Sequence, residues 1–369
     1  MKFRCERDPL VEVVGAARRG VTPRSSGYLA LTGLDLRLSG DRLTVTGSDG
    51  YLTVIASVEV SGSRDGRCLV PSSLFGDIVR SLPEGAVTIE ADDNEVRIGS
   101  SRSKFAVKTI ATEYPVIAEP QGDAVTLDAA LLRDAVAQVV PAASVDDSRK
   151  SELTGVSLAA HGDGIRLVAT DTYRLAIRDL AGTSLLSGDR KVIVPATALK
   201  ELGRLSSAAE TVVVRVGEHN VAFEVDGVRL ISQLLDGKFP DYENLLPKTP
   251  DSHPNRLTFE KESFLDALRR VGLLSKDVKD SKKVRLVIAA DAVELVAESF
   301  DVGKADEVVE ARHEGETLEI AFNAEYLRAG IESAPADEVT IEIARPNSPV
   351  LIRGVGADDF LYLLMPIRN

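Results

Sequence analysis

The sequence predicts an α+β fold made of three tandem repeats, each with two helices packed on antiparallel sheet. Three observations carry this reading. A β-hairpin pattern recurs with starts at Val87, Val212 and Val339, 125 and 127 residues apart, which is one ordinary domain length. An amphipathic helix pattern recurs near Asp8, Asp128 and Glu260. A strand running into a second helix recurs at Leu69-Val70-Pro71, Ile193-Val194-Pro195 and Ala321-Phe322-Asn323.

The first helix of each repeat places apolar residues three and four apart: Leu10, Val13, Val14 and Ala17, then Leu131, Leu132, Ala135, Val136 and Val139, then Phe264, Leu268 and Val271. In the first two, Asp8 and Asp128 can cap free backbone amides. The hairpins alternate apolar and polar residues about a polar turn. Val87 and Ile89 run through Asp92-Asp93-Asn94 to Val96 and Ile98; Val212, Val214 and Val216 run through 217–220 to Val221, Phe223 and Val225. In the third, Val339, Ile341 and Ile343 run through 345–349 to Val350 and Ile352. Each repeat is expected to close on a strand ending in X-Pro, at Tyr114-Pro115, Phe239-Pro240 and Met365-Pro366, because proline cannot extend a central ladder. The repeats are then residues 1–119, 120–251 and 252–369. Two helices and several half-buried strands per repeat pack most economically with the helices on one face of the sheet.

At 369 residues, 44% hydrophobic and 27% charged, the chain can bury several cores. No apolar run approaches the ~20 residues needed to cross a bilayer, and the start MKFRCERD lacks a signal peptide's apolar core, so a cytoplasmic location is expected. Cys5 and Cys68 cannot form a disulfide framework and read as reduced thiols. The net charge of −13 weighs against a protein that grips nucleic acid tightly. The six helical stretches 10–19, 74–82, 129–140, 199–205, 262–272 and 325–333, however, hold nine Lys/Arg against eight Asp/Glu, so the helical face is relatively electropositive inside an acidic body. Arg18, Arg19, Arg80, Arg133, Arg204, Arg269, Arg270 and Arg328 carry that bias, and each is also explained as a solvated helix terminus.

For catalysis, Asp171, Asp241 and the Asp358-Asp359 pair are the available metal-type carboxylates. His161, His219, His253 and His313 fall in stretches that read as polar turns, and there is no Walker loop, HExxH or nucleophile elbow. No enzyme activity, cofactor or metal is expected. A non-catalytic alternative is a protein-only scaffold that never meets nucleic acid.

Four segments resemble one family. Arg166-Leu-Val-Ala-Thr-Asp-Thr-Tyr-Arg-Leu-Ala176, Phe239-Pro-Asp-Tyr-Glu-Asn-Leu-Leu-Pro247, Phe322-Asn-Ala-Glu-Tyr-Leu327 and Tyr362-Leu-Leu-Met-Pro-Ile-Arg368 are similar to the β subunit of bacterial DNA polymerase III, the DNA sliding clamp. The resemblance spans the chain and admits a specialised second clamp. It implies a head-to-tail homodimer of clamp domains closed around double-stranded DNA without sequence preference. It also implies partners in the DNA polymerase III catalytic subunit, the clamp loader and other proteins with clamp-motif peptides, to which the ring lends processivity in DNA replication.

By the same resemblance, partner peptides enter a pocket at Leu153, Thr170, Tyr173, Arg174, Leu175, Pro240, Leu245, Leu363, Leu364, Met365 and Pro366. Such a site suits the leucine and phenylalanine side chains of a peptide. DNA would face Arg18, Arg19, Arg24, Arg80, Arg133, Arg204, Arg269 and Arg270. The subunit joint would pair the strand at Arg102, Lys104 and Phe105 with the third repeat, where Leu273 and Leu274 add apolar contact and Glu298 and Asp301 face the basic pair. The strand is equally explained as an ordinary edge blunted by charge. Glu243 and Asn244 stand where the family often has a basic residue. Size agrees with a dimer: a domain of ~120 residues is roughly 35 Å across, and six such beads, not three, leave a hole wide enough for a duplex of roughly 20 Å.

Overall fold

The computed structural model describes residues 1–21, 28–146, 150–246, 252–275, 282–299 and 303–367. Its α-helices are α1 (Arg7–Arg18), α2 (Ser72–Ser81), α3 (Ala129–Val139), α4 (Ala196–Leu205), α5 (Lys261–Val271) and α6 (Ala324–Ser333), two for each expected repeat. Capping differs from expectation at α1. Asp8 lies inside the first turn and pairs with Arg7, and the cap position is Glu6, which makes no side-chain cap bond. Asp128 Oδ1 does accept the Leu131 N–H, at 2.8 Å. Glu260 caps α5 through the N–H groups of Glu262 and Ser263, and Asn323 caps α6 through those of Glu325 and Tyr326.

The chain packs as two compact units, one of Met1–Arg133 with Thr197–Leu234 and one of Asp134–Ala196 with Leu235–Asn369. The first holds a five-stranded sheet in the order β5 (Ser61–Arg64), β1 (Lys2–Glu6), β7 (Ala86–Ala91), β8 (Glu95–Ser100), β9 (Ser103–Lys108). It also holds an eight-stranded sheet in the order β10 (Ala124–Asp128), β15 (Thr211–Val216), β16 (Asn220–Val225), β17 (Val228–Gln233), β4 (Leu52–Glu59), β3 (Arg42–Ser48), β2 (Gly33–Ser39), β6 (Gly66–Pro71). This sheet passes from the first repeat to the second where β17 pairs antiparallel with β4, from Val228↔Ala56 to Ser232↔Leu52. The core of the first repeat joins Leu10 and Val14 of α1 and Phe75 and Val79 of α2 to Leu34, Leu36, Leu43, Ile89 and Ile98 of the sheets. Gly76 leaves room there for the Arg18 side chain, whose guanidinium would lie 2.4 Å from a Cβ and would have to shift. Cys5 and Cys68 are buried, and desolvation pushes their thiols up to about 11 and about 12, so both stay protonated.

The second unit is built on twelve strands in the order β14 (Lys191–Pro195), β11 (Gly155–His161), β12 (Gly164–Thr170), β13 (Arg174–Leu180), β25 (Phe360–Leu364), β24 (Val350–Gly354), β23 (Glu338–Ile343), β18 (Asn255–Glu260), β21 (Gly303–Glu314), β20 (Ala292–Ser299), β19 (Lys283–Ile288), β22 (Leu318–Asn323). Here β13 pairs antiparallel with β25, which carries the sheet from the second repeat to the third. The three expected hairpins are present with apolar residues opposed, Ile89↔Ile98, Val214↔Phe223 and Ile341↔Ile352.

Two expectations need correction. Tyr114-Pro115 and Phe239-Pro240 lie outside strands; only Met365-Pro366 directly follows one, β25. The first two prolines instead sit in extended segments whose aromatic neighbours fold back on the sheets. His161 and His313 are strand residues: His161 is the exposed end of the otherwise largely buried β11, and His313 lies near the end of β21, whose alternation is largely polar and exposed.

Candidate functional site

The β12–β13 connection, Thr170-Asp171-Thr172-Tyr173, builds the centre of the expected peptide pocket. Asp171 Oδ1 accepts the N–H groups of Tyr173 and Arg174, both at 3.0 Å, and its Oδ2 accepts Arg174 Nε at 2.9 Å. Thr170 Oγ1 donates to the Arg174 carbonyl at 2.6 Å and accepts the Thr172 N–H at 3.1 Å. This lattice holds Thr172 at φ 78°, a conformation that costs a β-branched residue of order 1–3 kcal/mol. Tyr173 is thereby turned out to solvent.

Arg174 goes inward. Its guanidinium carbon lies 4.1 Å from the centroid of the Tyr326 ring, a cation–π contact from β13 to α6. Tyr362 donates its hydroxyl to the Tyr326 carbonyl at 3.0 Å, and burial pushes that hydroxyl's pKa up, so it stays a donor. Gly330 of α6 makes room for the Tyr362 ring, which would lie 2.6 Å from a Cβ.

The strand register sorts the remaining pocket residues. Leu175 opposes Leu363 and Arg174 opposes Leu364, so the two pairs occupy opposite faces of the sheet. Leu175 and Leu363 are buried with Val168, Ile177, Leu351 and Leu361, and Phe239, Tyr242 and Leu246 pack over them. Leu364, Leu153 and Thr170 are also buried. The accessible apolar side chains are Tyr173, Leu245 and Met365, beside half-buried Pro240 and Pro366. The Met365 N–H donates to the Tyr173 carbonyl at 2.9 Å, tying the end of β25 to the turn. Sequence reasoning did not assign Tyr326, Tyr362, Phe239 or Tyr242, although all four lie in the quoted motifs. For Tyr326 the signal was an aromatic residue in the first turn of a helix and for Phe239 one beside a proline; Tyr362 and Tyr242 carried none beyond the motif itself. Pro247 and Arg368 of those motifs lie outside the described residues.

The rim of this site is acidic. Asp241 and Glu243 are exposed, and Asp241 accepts the Glu243 N–H at 3.3 Å and Asn244 Nδ2 at 3.1 Å. The carboxylates weighed as metal ligands thus have other work: Asp171 and Asp241 organise turns, and Asp359 pairs with Arg178. Among the described residues, no three His, Cys, Asp or Glu side chains come together as a metal cluster.

On the helices, most of the expected arginines are matched to carboxylates. In the first unit Arg18 meets Asp77 at 3.0 Å, Arg19 meets Glu201 at 3.1 Å, and Arg204 also reaches Glu201. Arg133 donates to the carbonyls of Ser206 and Ser207 at 3.2 and 3.4 Å. The Arg80 carbonyl accepts Arg7 Nη2. In the second unit Arg269 meets Asp266 at 2.7 Å and Glu332 at 3.8 Å, and Arg328 meets the same Glu332 at 2.9 Å. Arg270 grips Glu307 with both Nε and Nη2, and that pairing holds the Glu307 carboxyl below its usual range. Arg24 lies outside the described residues. Arg18, Arg19, Arg204, Arg269, Arg270 and Arg328 are therefore ion-paired, and their attraction for an anion is weaker than free cations would give.

Two sheet edges stand out. β9 has β8 on one side only, and Lys104 and Phe105 on it are exposed, next to Arg102. β21 pairs with β20 from Gly303 to Glu310, while only Ala311–Glu314 also pair with β18. Its open stretch carries Asp306, Glu307, Glu310 and an exposed Val308. Leu273 is exposed and Leu274 half-buried in the turn after α5; Glu298 is exposed, and Asp301 lies outside the described residues.

Comparison with known proteins matches these features to one family. Profiles of the DNA polymerase III beta subunit match in order: the N-terminal domain at residues 1–118, the central domain at 126–241 and the C-terminal domain at 244–368. The beta sliding clamp of Pseudomonas putida is 29% identical, with 100% of both chains covered. The crystal structure of the Bacillus subtilis DNA polymerase sliding clamp superposes with a TM-score of 0.93 at 27% identity, over 100% of this chain and 99% of that one. The DNA polymerase III subunit beta of Pseudomonas aeruginosa gives 0.91 at 27% identity, covering 100% of both. The chain belongs to the DNA polymerase III beta subunit family, the sliding clamps, which act as non-catalytic processivity subunits.

Proposed function

We propose that two copies of this chain close head to tail into a ring around duplex DNA. The ring would tether the DNA polymerase III catalytic subunit, the clamp loader and other replication and repair proteins through peptides bound at Tyr173, Leu245 and Met365. The observation that carries this is a junction used twice within the chain and left half-made at each end. The last strand of the second repeat pairs with β4 of the first, and the last strand of the third repeat pairs with β13 of the second. By the same rule the last strand of the first repeat, β9, needs a partner strand in a third repeat, which only another copy can supply. The open stretch of β21 is that strand. Its carboxylates complement Arg102, Lys104 and Lys108, and Val308, Leu273 and Leu274 meet Phe105. The reading keeps the division into repeats near residues 119 and 252, with each repeat contributing one last strand to its neighbour.

Inside such a ring, the helical arginines Arg18, Arg19, Arg24, Arg80, Arg133, Arg204, Arg269 and Arg270 face DNA. The carboxylate partners of Arg18, Arg19, Arg204, Arg269 and Arg270 keep the attraction weak, as sliding demands, because every phosphate tightly neutralised adds to the salt-dependent grip. The place of action is the cytoplasm; no helix among the described residues is long and apolar enough to cross a membrane.

Co-sedimentation tests the ring. Protein loaded by its clamp loader should stay on nicked circular DNA and run off the same DNA once linearised. Equal retention on both forms would overturn encirclement. Light scattering at micromolar concentration should give a dimer near twice 39.5 kDa, and Val308→Lys should shift it to monomer by placing like charge against β9. A monomeric wild type would overturn the closed ring.

A further inference from the structure

The turn that centres the partner site is built twice. At the β3–β4 connection Ser48-Asp49-Gly50-Tyr51 stands where Thr170-Asp171-Thr172-Tyr173 stands between β12 and β13. Asp49 Oδ1 accepts the N–H groups of Tyr51 at 2.9 Å and Leu52 at 2.8 Å, as Asp171 does for Tyr173 and Arg174. The Gly50 N–H donates to Ser48 Oγ and the Thr172 N–H to Thr170 Oγ1, each at 3.1 Å. Gly50 and Thr172 share positive φ, 95° and 78°. The neighbouring last strand closes both turns alike: the Gln233 N–H donates to the Tyr51 carbonyl and the Met365 N–H to that of Tyr173, each at 2.9 Å.

The surroundings match as well. Tyr114 precedes Pro115 as Phe239 precedes Pro240, and each ring packs into an apolar cluster beside its turn. Leu31 of the Tyr114 cluster comes within 3.6 Å of where a Gly50 Cβ would stand. The side chains facing outward are large, apolar and open. Tyr51 is 72% exposed, Tyr28 and Leu29, which lead into Leu31, are 74% and 64% exposed, and Val116, between Tyr114 and Ile117, is 98% exposed. Tyr173 and Met365 at the other site are 61% and 40% exposed. Single exposed apolar residues are ordinary, but these four adjoin in sequence the turn at Gly50 and the Leu31–Tyr114 cluster beside it, a concentration that points to a contact surface.

Charge selects the occupant. Beside the patch a cleft of about 260 Å³ is bounded by Asp35, Asp92, Asp93 and Glu113, with Arg67 as its guanidinium, and Arg67 is tied to Asp35 at 2.6 Å. Leu52 occupies the position of Arg174, so this turn carries no cation of its own. We propose that the β4–β17 junction is a second peptide dock, taking a short segment of a partner protein with large apolar side chains and basic flanking residues. The proposal rests on the reading of the Tyr173 pocket as a partner-peptide site.

The test uses the full-length protein and a fluorescein-labelled nonapeptide ending in Leu-Phe with two flanking lysines, beside a twin with glutamates in their place. Anisotropy is followed from micromolar to millimolar protein. In Met365→Lys protein the lysine peptide should still bind, and adding Tyr51→Lys or Val116→Lys should weaken it at least about tenfold. The glutamate twin should bind Met365→Lys protein at least about tenfold more weakly than the lysine peptide. No binding to Met365→Lys protein, or binding there that Tyr51→Lys and Val116→Lys both leave unchanged, would overturn the second dock. If Tyr51→Lys alone abolishes binding to the otherwise unaltered chain and Met365→Lys does nothing, the second dock stands and the reading of the Tyr173 pocket falls.

Discussion

At the β13–β25 junction a guanidinium is buried against an aromatic ring and a carboxylate; at the β4–β17 junction Leu52 holds its place and Gln233 stands where Met365 does. The backbones agree bond for bond. The difference teaches that the turn is specified by very little, an aspartate acceptor and one residue that tolerates positive φ, which leaves the side chains around it free to diverge. One copy carries an inward cation held by Asp171 and Tyr326 and an adaptable thioether at its mouth. The other is apolar at the turn, polar at Gln233, whose Nε2 donates to the Gly50 carbonyl at 2.9 Å, and acidic beyond.

The largest effects are expected in the cores behind the turns. Tyr362 and Leu230 are equivalent positions on β25 and β17, each two residues along from the turn pairing, and both are buried. Tyr362→Ala should cost about 3–5 kcal/mol and Leu230→Ala about 2–5 kcal/mol in urea unfolding, with Tyr362→Ala the worse because it also opens the space that Gly330 leaves for the ring. If Tyr362→Ala were the milder, α6 would not be anchored through that ring.

Next comes the aspartate itself. Asp171→Asn removes the charge that faces a partly buried Arg174 and should cost about 2–3 kcal/mol, whereas Asp49→Asn loses only the charge assistance to two backbone amides and should cost about 1 kcal/mol. Thermal unfolding of the two variants side by side checks the order, and equal shifts would mean that Arg174 does not depend on Asp171.

Met365→Asp should weaken a partner peptide roughly tenfold to hundredfold, the worth of about 1.5–3 kcal/mol for one buried leucine-sized side chain, with little change in melting. Leu175→Asp should behave differently, because Leu175 is buried under Phe239 and Tyr242 and a carboxylate there disrupts the fold before it reports on any ligand. Anisotropy paired with thermal unfolding separates the two. Unchanged peptide affinity in well-folded Met365→Asp protein would move the pocket elsewhere.

The smallest effects concern backbone conformation. Gly50→Ala should cost about 1 kcal/mol because alanine resists positive φ, while Thr172→Gly should change stability by less than about 0.5 kcal/mol, relief of strain offsetting the looser unfolded chain. Similar losses from both substitutions would show that Thr172 is not strained.

Much of this protein was determined by sequence alone. Hairpins and helices follow from apolar periods of two and 3.6 read over short windows, so Val87–Ile98 and its two echoes were legible, as was the apolar face of α5. The turn role of Asp171 was not legible, since the sequence offered it only as a metal-type carboxylate, while Tyr173 and Met365 stood in the motifs quoted for the expected pocket. Tertiary structure decided which strands meet and therefore which side each residue takes. Periodicity says that Arg174 and Leu175 point opposite ways. Only the pairing of β13 with β25, together with the packing of Phe239 on one face and α6 on the other, says which of them meets Tyr326 and which meets the apolar cluster. The same holds for charge. Arg19 reads as a solvated helix end until the fold brings up Glu201, 182 residues away, because an ion pair depends on distance in space and local sequence carries no record of that distance.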